Sequence, residues 1–163
     1  TLGNLPLAPE ADLDVLDALA DEDLLAALVV PGGDHYAVGH ERLIETVGHL
    51  VDKAIPVAAI CGATLLLARG GFLDERRHTS NAASYLEASG YRGGTRYEEA
   101  PVVTNRGVTT ASGIHAIPFT AEIMRITGLV PDAMVDSWEQ VFLNGKEKDY
   151  MALMETTVAW QNA

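Results

Sequence analysis

Two apolar runs without a single polar member, Leu24–Val30 (LLAALVV) and Ile55–Ile60 (IPVAAI), each break abruptly into glycine, the first at "PGGDHY" and the second at "CGAT". A strand with one face in water alternates apolar and polar residues, so continuous runs belong to strands covered on both faces, as in a parallel sheet. Between them, His40–Lys53 sets Leu43, Ile44, Val47, Leu50 and Val51 at helical spacing with charges opposite. A second helix is expected from Cys61 or Gly62 to Arg69, closed by Gly70–Gly71. Strand, helix, strand, helix in that order requires crossover connections and so a mostly parallel sheet with covering helices.

The remaining segments fit around that frame. Thr1–Glu10, with Gly3, Pro6 and Pro9, reads as irregular, and Leu13, Val15, Leu16 and Leu19 mark a short amphipathic stretch. Downstream, a short strand is expected near His78–Thr79, then a helix from Ala82 to Ala88 capped by Asn81 and closed by Gly90. Val102–Ser112 reads as a hairpin around Asn105-Arg106-Gly107. Pro118 suits the first turn of a helix carrying Phe119, Ile123, Met124 and Ile126 to Gly128. Pro131 opens another, with Met134, Val135, Trp138, Val141 and Phe142 expected inward, and Lys146–Trp160 a last one, patterned by Tyr150, Leu153, Met154 and Val158. At 163 residues the chain suits one domain.

Charge and cysteine usage narrow the function. A formal net charge of -12 repels phosphate backbones and anionic headgroups, and the densest basic cluster is only Arg76, Arg77 and His78, so neither nucleic acid nor a membrane is an expected partner. The longest apolar run, Pro56–Ala68, is too short to cross a bilayer, and no basic-then-apolar leader opens the sequence. One cysteine makes no internal disulfide, and no metal-ligand spacing is present, so a reducing, cytoplasmic setting without metal or cofactor is expected.

That one cysteine, Cys61, stands where a buried strand turns into a helix. The turn residue of such a junction projects from the sheet edge, and the first helical amides favour negative charge beside them. Cys61 is therefore a candidate nucleophile, although a lone free cysteine can equally be a small buried residue. Gly62 permits close backbone approach, and the Gly32–Gly33 loop of the preceding strand opens on the same edge, so the amides of Gly33 and Gly62 are candidate oxyanion donors. Candidate bases are His35, His78 and His115; His35 and His115 follow strands on the presumed site face, whereas His40 and His49 fall on a solvent-facing helix pattern. Asp34, Tyr36 and Asn81 are expected to line the site.

"VVPGG", "AAICGATLLLARGGFLDERRHTSN", "VVTNRGVTTASG" and "PFTAEIMRITG" together resemble the ThiJ/PfpI superfamily, of the class I glutamine-amidotransferase-like fold, from about Leu24 to Gly128. The following "DSWEQVFLNGK" resembles the bacterial branch labelled type 1 glutamine amidotransferase. The resemblance implies a flavodoxin-like three-layer sandwich, an elbow cysteine as reactive group at Cys61, and backbone amides around it at Gly33 and Gly62. It also implies a homodimer, and a single domain over 1–163 whose opening strand and helix precede the given residues. In the family that opening strand carries a glutamate beside the cysteine, for which no residue here stands. Members with a Cys–His pair often have histidine close to Asn81, where asparagine cannot act as a base. Glutaminase chemistry draws its His–Glu pair from the end of the domain, and no histidine follows Gly128. The activity implied is attack of Cys61 on a carbonyl or amide carbon of a small molecule, with methylglyoxal-like aldehydes, their adducts and amides as substrate classes. The alternative is a redox or stress-response role through oxidation of Cys61.

Overall fold

A computed structural model describes residues 5–162. Along the chain run α1 (Leu13–Asp21), β1 (Leu28–Val30), α2 (Glu41–Asp52), β2 (Val57–Ile60), α3 (Ala63–Arg69), α4 (Ala83–Glu87), β3 (Val102–Asn105), β4 (Val108–Ala111), α5 (Ala116–Thr127), α6 (Asp132–Asn144) and α7 (Glu147–Gln161). The four-stranded sheet has the order β1-β2-β4-β3. β1, β2 and β4 are parallel, and β3 pairs antiparallel with β4 at an edge.

Successive residues of a strand face opposite ways, and β2 uses both faces. Val57 and Ala59 join the main core with Val47 and Leu50 of α2 and Leu65, Leu66 and Leu67 of α3. Ala58 packs on the other face with Phe119 of α5, and Ile60 and Ile123 flank them. Helices thus cover both faces of a mostly parallel sheet, the three-layer α/β arrangement expected of strands without polar members. Two alanines in the middle of β2 keep its surface low enough for helices to approach on each side.

Charged ties fix the helices laterally. Arg42 of α2 reaches Asp14 and Asp17 of α1, and Arg125 of α5 reaches Asp136 and Glu139 of α6 at 2.7 and 2.8 Å. The hairpin forms as expected, its turn made by Arg106 and Gly107, both with positive φ.

Several expectations are corrected. The strand expected over Leu24–Val30 is confined to Leu28–Val30, because the first half of the run ends α1: Asp23 turns left-handed, Leu24 N–H donates to the Leu19 carbonyl, and Leu24 is left 66% exposed. Near His78–Thr79 there is only an isolated bridge between His78 and Tyr97. Asn81 does not cap the following helix, whose N-cap is Ala82 without a side-chain bond. On α6, Val135 is buried as expected, but Phe142 is 57% exposed and stacks on Trp138 instead of entering the core. On α7, Tyr150, Met154 and Val158 are exposed while Leu153 is half-buried, so its apolar pattern is not a packed stripe. Residues 5–10 are irregular, as expected; the same expectation for residues 1–4 lies outside the described residues.

His78 has a structural place. It is fully buried, with Nδ1 2.8 Å from the Arg76 carbonyl, Nε2 3.1 Å from the Tyr91 hydroxyl, and its ring edge-on to Tyr91 and Tyr97. Burial holds its pKa below the ordinary imidazole value, partly offset by the Arg76 carbonyl and the charges of Glu98 and Asp74. The unfolded chain therefore binds the His78 proton more readily than the folded one, so stability is complete above about pH 6.5 and falls as the solution is acidified below it. His78→Gln is expected to lower the melting temperature at pH 7.5 and to flatten the loss between pH 7.5 and 5.5, as followed by calorimetry; an unchanged slope would refute the assignment.

Candidate functional site

β2 ends in a turn that no ordinary residue adopts without cost. Cys61 has φ of 58°, a left-handed conformation worth about 1–3 kcal/mol of strain in a residue with a side chain. Neighbouring bonds hold it there: Cys61 N–H donates to the Ala111 carbonyl at 2.9 Å, and the Thr64 amide and hydroxyl both donate to the Cys61 carbonyl, at 3.1 and 2.6 Å. The Thr64 hydroxyl lies 2.7 Å from that of Ser80, tying the elbow to the segment before α4.

Glycines wall the thiol. A Cβ at Gly32 would stand 2.9 Å from Cys61 Cβ, one at Gly113 would stand 2.9 Å from Cys61 Sγ, and one at Gly62 would collide with the Gly33 carbonyl oxygen. Backbone from the ends of β1, β2 and β4 therefore converges on one sulfur at a distance only glycine allows. Among the described residues the Gly33 and Gly62 amides donate to no backbone carbonyl outside the regular elements, which leaves them as candidate donors. Arg69 of α3 pins the first of these loops by donating to the Tyr36 and Gly39 carbonyls at 2.8 and 2.9 Å.

Asn81 is the side chain hydrogen-bonded to the thiol. The Gly113 amide donates to its Oδ1 at 2.9 Å, and its Nδ2 donates to Cys61 Sγ at 3.5 Å. A backbone N–H can only donate, so the oxygen must face Gly113 and the NH2 must face sulfur. Asn81 can thus support a thiolate but cannot take its proton.

The thiol opens into a cavity of about 420 Å³ lined by Cys61, Asn81, Ser112, Gly113 and Ile114. A second cavity of about 480 Å³ shares Asn81, Ser112 and Ile114 with it and extends to His115, Tyr97 and Glu99. Ser112 Oγ lies 2.7 Å from His115 Nδ1.

The sequence signature of the DJ-1/PfpI family matches residues 10–126. The chain belongs to that family. Among curated relatives, "Uncharacterized protease YoaZ" of Bacillus subtilis (strain 168) is 34% identical over 159 residues, covering 96% of this chain and 74% of that protein. "Uncharacterized protease YdeA" of the same organism is 35% identical over 101 residues, covering 61% and 51%. Among solved structures, a thiJ/pfpI family protein from Bacillus anthracis superposes with a TM-score of 0.84 at 32% identity, covering 95% of this chain and 73% of that one. The DJ-1 superfamily protein Atu0886 from Agrobacterium tumefaciens gives 0.76 at 33%, covering 86% and 74%.

In this DJ-1/PfpI chain the residues expected at the site are not all brought together. Cys61, Gly33, Gly62 and Asn81 meet at the elbow, and His115 stands one hydrogen bond beyond Ser112. His35 is in the exposed 31–40 loop and lines neither cavity. Tyr36 braces that loop, its hydroxyl donating to the Pro31 carbonyl at 2.8 Å, and does not orient His35. Asp34 acts at a distance: burial pushes the Tyr85 phenol up, and the negative charges of Cys61 and Asp34 add to the shift. Tyr85, Gly113, Ser112 and Glu99 escaped nomination from the sequence. Gly113 alone had a readable signal, since "SG" follows β4 as "PGG" follows β1 and "CGA" follows β2.

No helix among the described residues is long and apolar enough to cross a membrane, and no three or more of their His, Cys, Asp and Glu side chains are placed to hold a metal ion. Two substitutions probe the site. Gly62→Ala is expected to cost about 1–3 kcal/mol in urea unfolding, because its Cβ meets backbone rather than a movable side chain. Asn81→Ala is expected to slow alkylation of Cys61 by iodoacetamide at pH 7 about three-fold without altering the melting temperature appreciably; an unchanged rate would mean that the amide does not support the sulfur.

Proposed function

We propose that the protein is a cysteine-dependent enzyme acting on a carbonyl or amide carbon of a small molecule. In this reading Cys61 Sγ attacks the carbon, the Gly33 and Gly62 amides hold the oxyanion, and His115 moves protons through the Ser112 hydroxyl. The observation that carries it is the strained elbow opening onto a cavity that shares Ser112 with a second one, where His115 stands 2.7 Å from the Ser112 hydroxyl. Methylglyoxal-like aldehydes, their adducts and simple amides form the substrate classes to screen, and the word protease in the relatives' names adds peptide amides to them. The working form proposed is a homodimer; the exposed Phe142, Leu143, Met151 and Val158 of α6 and α7 supply apolar surface for it.

A second reading is supported by Asn81, which donates to sulfur and accepts no proton from it. A thiolate so placed can attack a peroxide and pass to sulfenate and sulfinate without a neighbouring base, as a redox sensor does.

Turnover of such a panel separates the two. If the enzyme reading holds, Cys61→Ser abolishes turnover, His115→Gln lowers kcat about 100-fold, and His35→Gln stays within about two-fold of the wild type. Absence of turnover across the panel, with Cys61 gaining two oxygens by mass spectrometry under dilute peroxide, would transfer the function to the redox reading.

A further inference from the structure

The cavity beyond the thiol has one carboxylate, Glu99, on its wall, and the one basic side chain lining it is the imidazole of His115. No Lys or Arg lines either it or the thiol cavity. The neighbouring Glu98 is paired with Arg77 at 3.2 Å. Among the described residues the Glu99 side chain has neither ion pair nor hydrogen bond within the chain, so nothing internal neutralises it. The other polar groups of the wall are engaged within the chain: the Ala100 carbonyl accepts from the Thr79 hydroxyl, the Tyr97 hydroxyl donates to the Ser80 carbonyl, and Ser112 is bonded to His115. Ile114, 88% exposed, lines both cavities, as do Asn81 and Ser112.

A groove made of two adjoining cavities, one lined by Cys61 and the other by an unpaired carboxylate, with Ile114 shared between them, has a directional chemistry. We infer that it takes a substrate with an amine or guanidinium group, which docks at Glu99 while a short apolar spacer crosses Ile114 and presents the reacting carbon to Cys61. The inference rests on Cys61 being the nucleophile and adds the substrate's charge and polarity along the groove. Glu99 is exposed on this wall, so its attraction for a cation and its repulsion of an anion are modest and are screened by salt.

The test needs no known substrate. Methanethiosulfonates react when a thiolate attacks the sulfenyl sulfur, forming a mixed disulfide and releasing methanesulfinate. The 2-aminoethyl, methyl and 2-sulfonatoethyl reagents present a cation, no charge and an anion on comparable frames. Rates of Cys61 modification in the full chain are read by intact mass spectrometry at low salt. Glu99→Gln is expected to slow the cationic reagent about three- to ten-fold, leave the neutral one within about two-fold and speed the anionic one; Glu99→Lys should reverse the order of the charged reagents. Because the whole chain carries net charge -12, Glu155→Gln on α7, outside both cavities, serves as the control for the general field. An unchanged cation-to-neutral ratio in Glu99→Gln, or an equal change in Glu155→Gln, would overturn the role of Glu99 while leaving Cys61 a reactive thiol. No reaction of Cys61 with any of the three reagents would overturn the nucleophile reading, and this inference with it.

Discussion

The site depends on one backbone conformation, the left-handed turn at Cys61. A strand that continued straight would bury residue 61 in the sheet, and one that entered a helix gradually would turn it along the helix side. The positive φ throws the side chain out of the sheet edge, and the cost is met locally. Cys61 N–H extends the β2–β4 ladder one step past the last paired residue, while Thr64 secures the Cys61 carbonyl twice. Thr64 is fully buried, so its hydroxyl has no water with which to exchange these partners.

Parallel topology then does what an antiparallel sheet could not do with so few residues. Because β1, β2 and β4 point the same way, the loops that follow them emerge on one edge. Those loops supply Gly32 and Gly33, Cys61 and Gly62, and Ser112, Gly113 and His115. Groups from three distant parts of the sequence meet without any long excursion of chain. Asn81 arrives from outside this scheme, and its contact with the Gly113 amide links the segment before α4 to the loop after β4.

The frame was legible because it rests on short-range signals of a single kind: apolar run, glycine, helical periodicity. Cys61, Gly33 and Gly62 could be nominated for the same reason, since a residue at a strand end has few places to go. The misses share a different cause. Leu24 and Leu25 look like strand, but the chain must first terminate α1, and backbone bonding at Asp23 and Leu24 takes precedence over their β propensity. Asn81 looks like a helix cap, but a partner 32 positions away in sequence, Gly113, competes successfully for its side chain. Neither the RRHTS surroundings of His78 nor the GIHAI surroundings of His115 discloses its role, and only the fold makes one a buried bracket between tyrosines and the other a cavity wall. On α7 the apolar residues exceed what one contact with α6 can cover, so periodicity did not identify the packed face.

The electrostatics of the groove follow from the choice of asparagine beside the sulfur. A histidine at that place would exchange a proton with the thiol, and the resulting imidazolium would stand next to the shared wall of both cavities as a positive charge. Asn81 instead supports sulfur through a dipole of no net charge. Among the described residues the imidazole on the groove's wall is His115, bonded to Ser112 and lining the same cavity as Glu99. No Lys or Arg lines either cavity, so a cationic substrate group at Glu99 would meet no guanidinium or ammonium of the chain there. If Cys61 is the nucleophile proposed above, the residue that denies it an adjacent base is the same one that adds no positive charge to the groove.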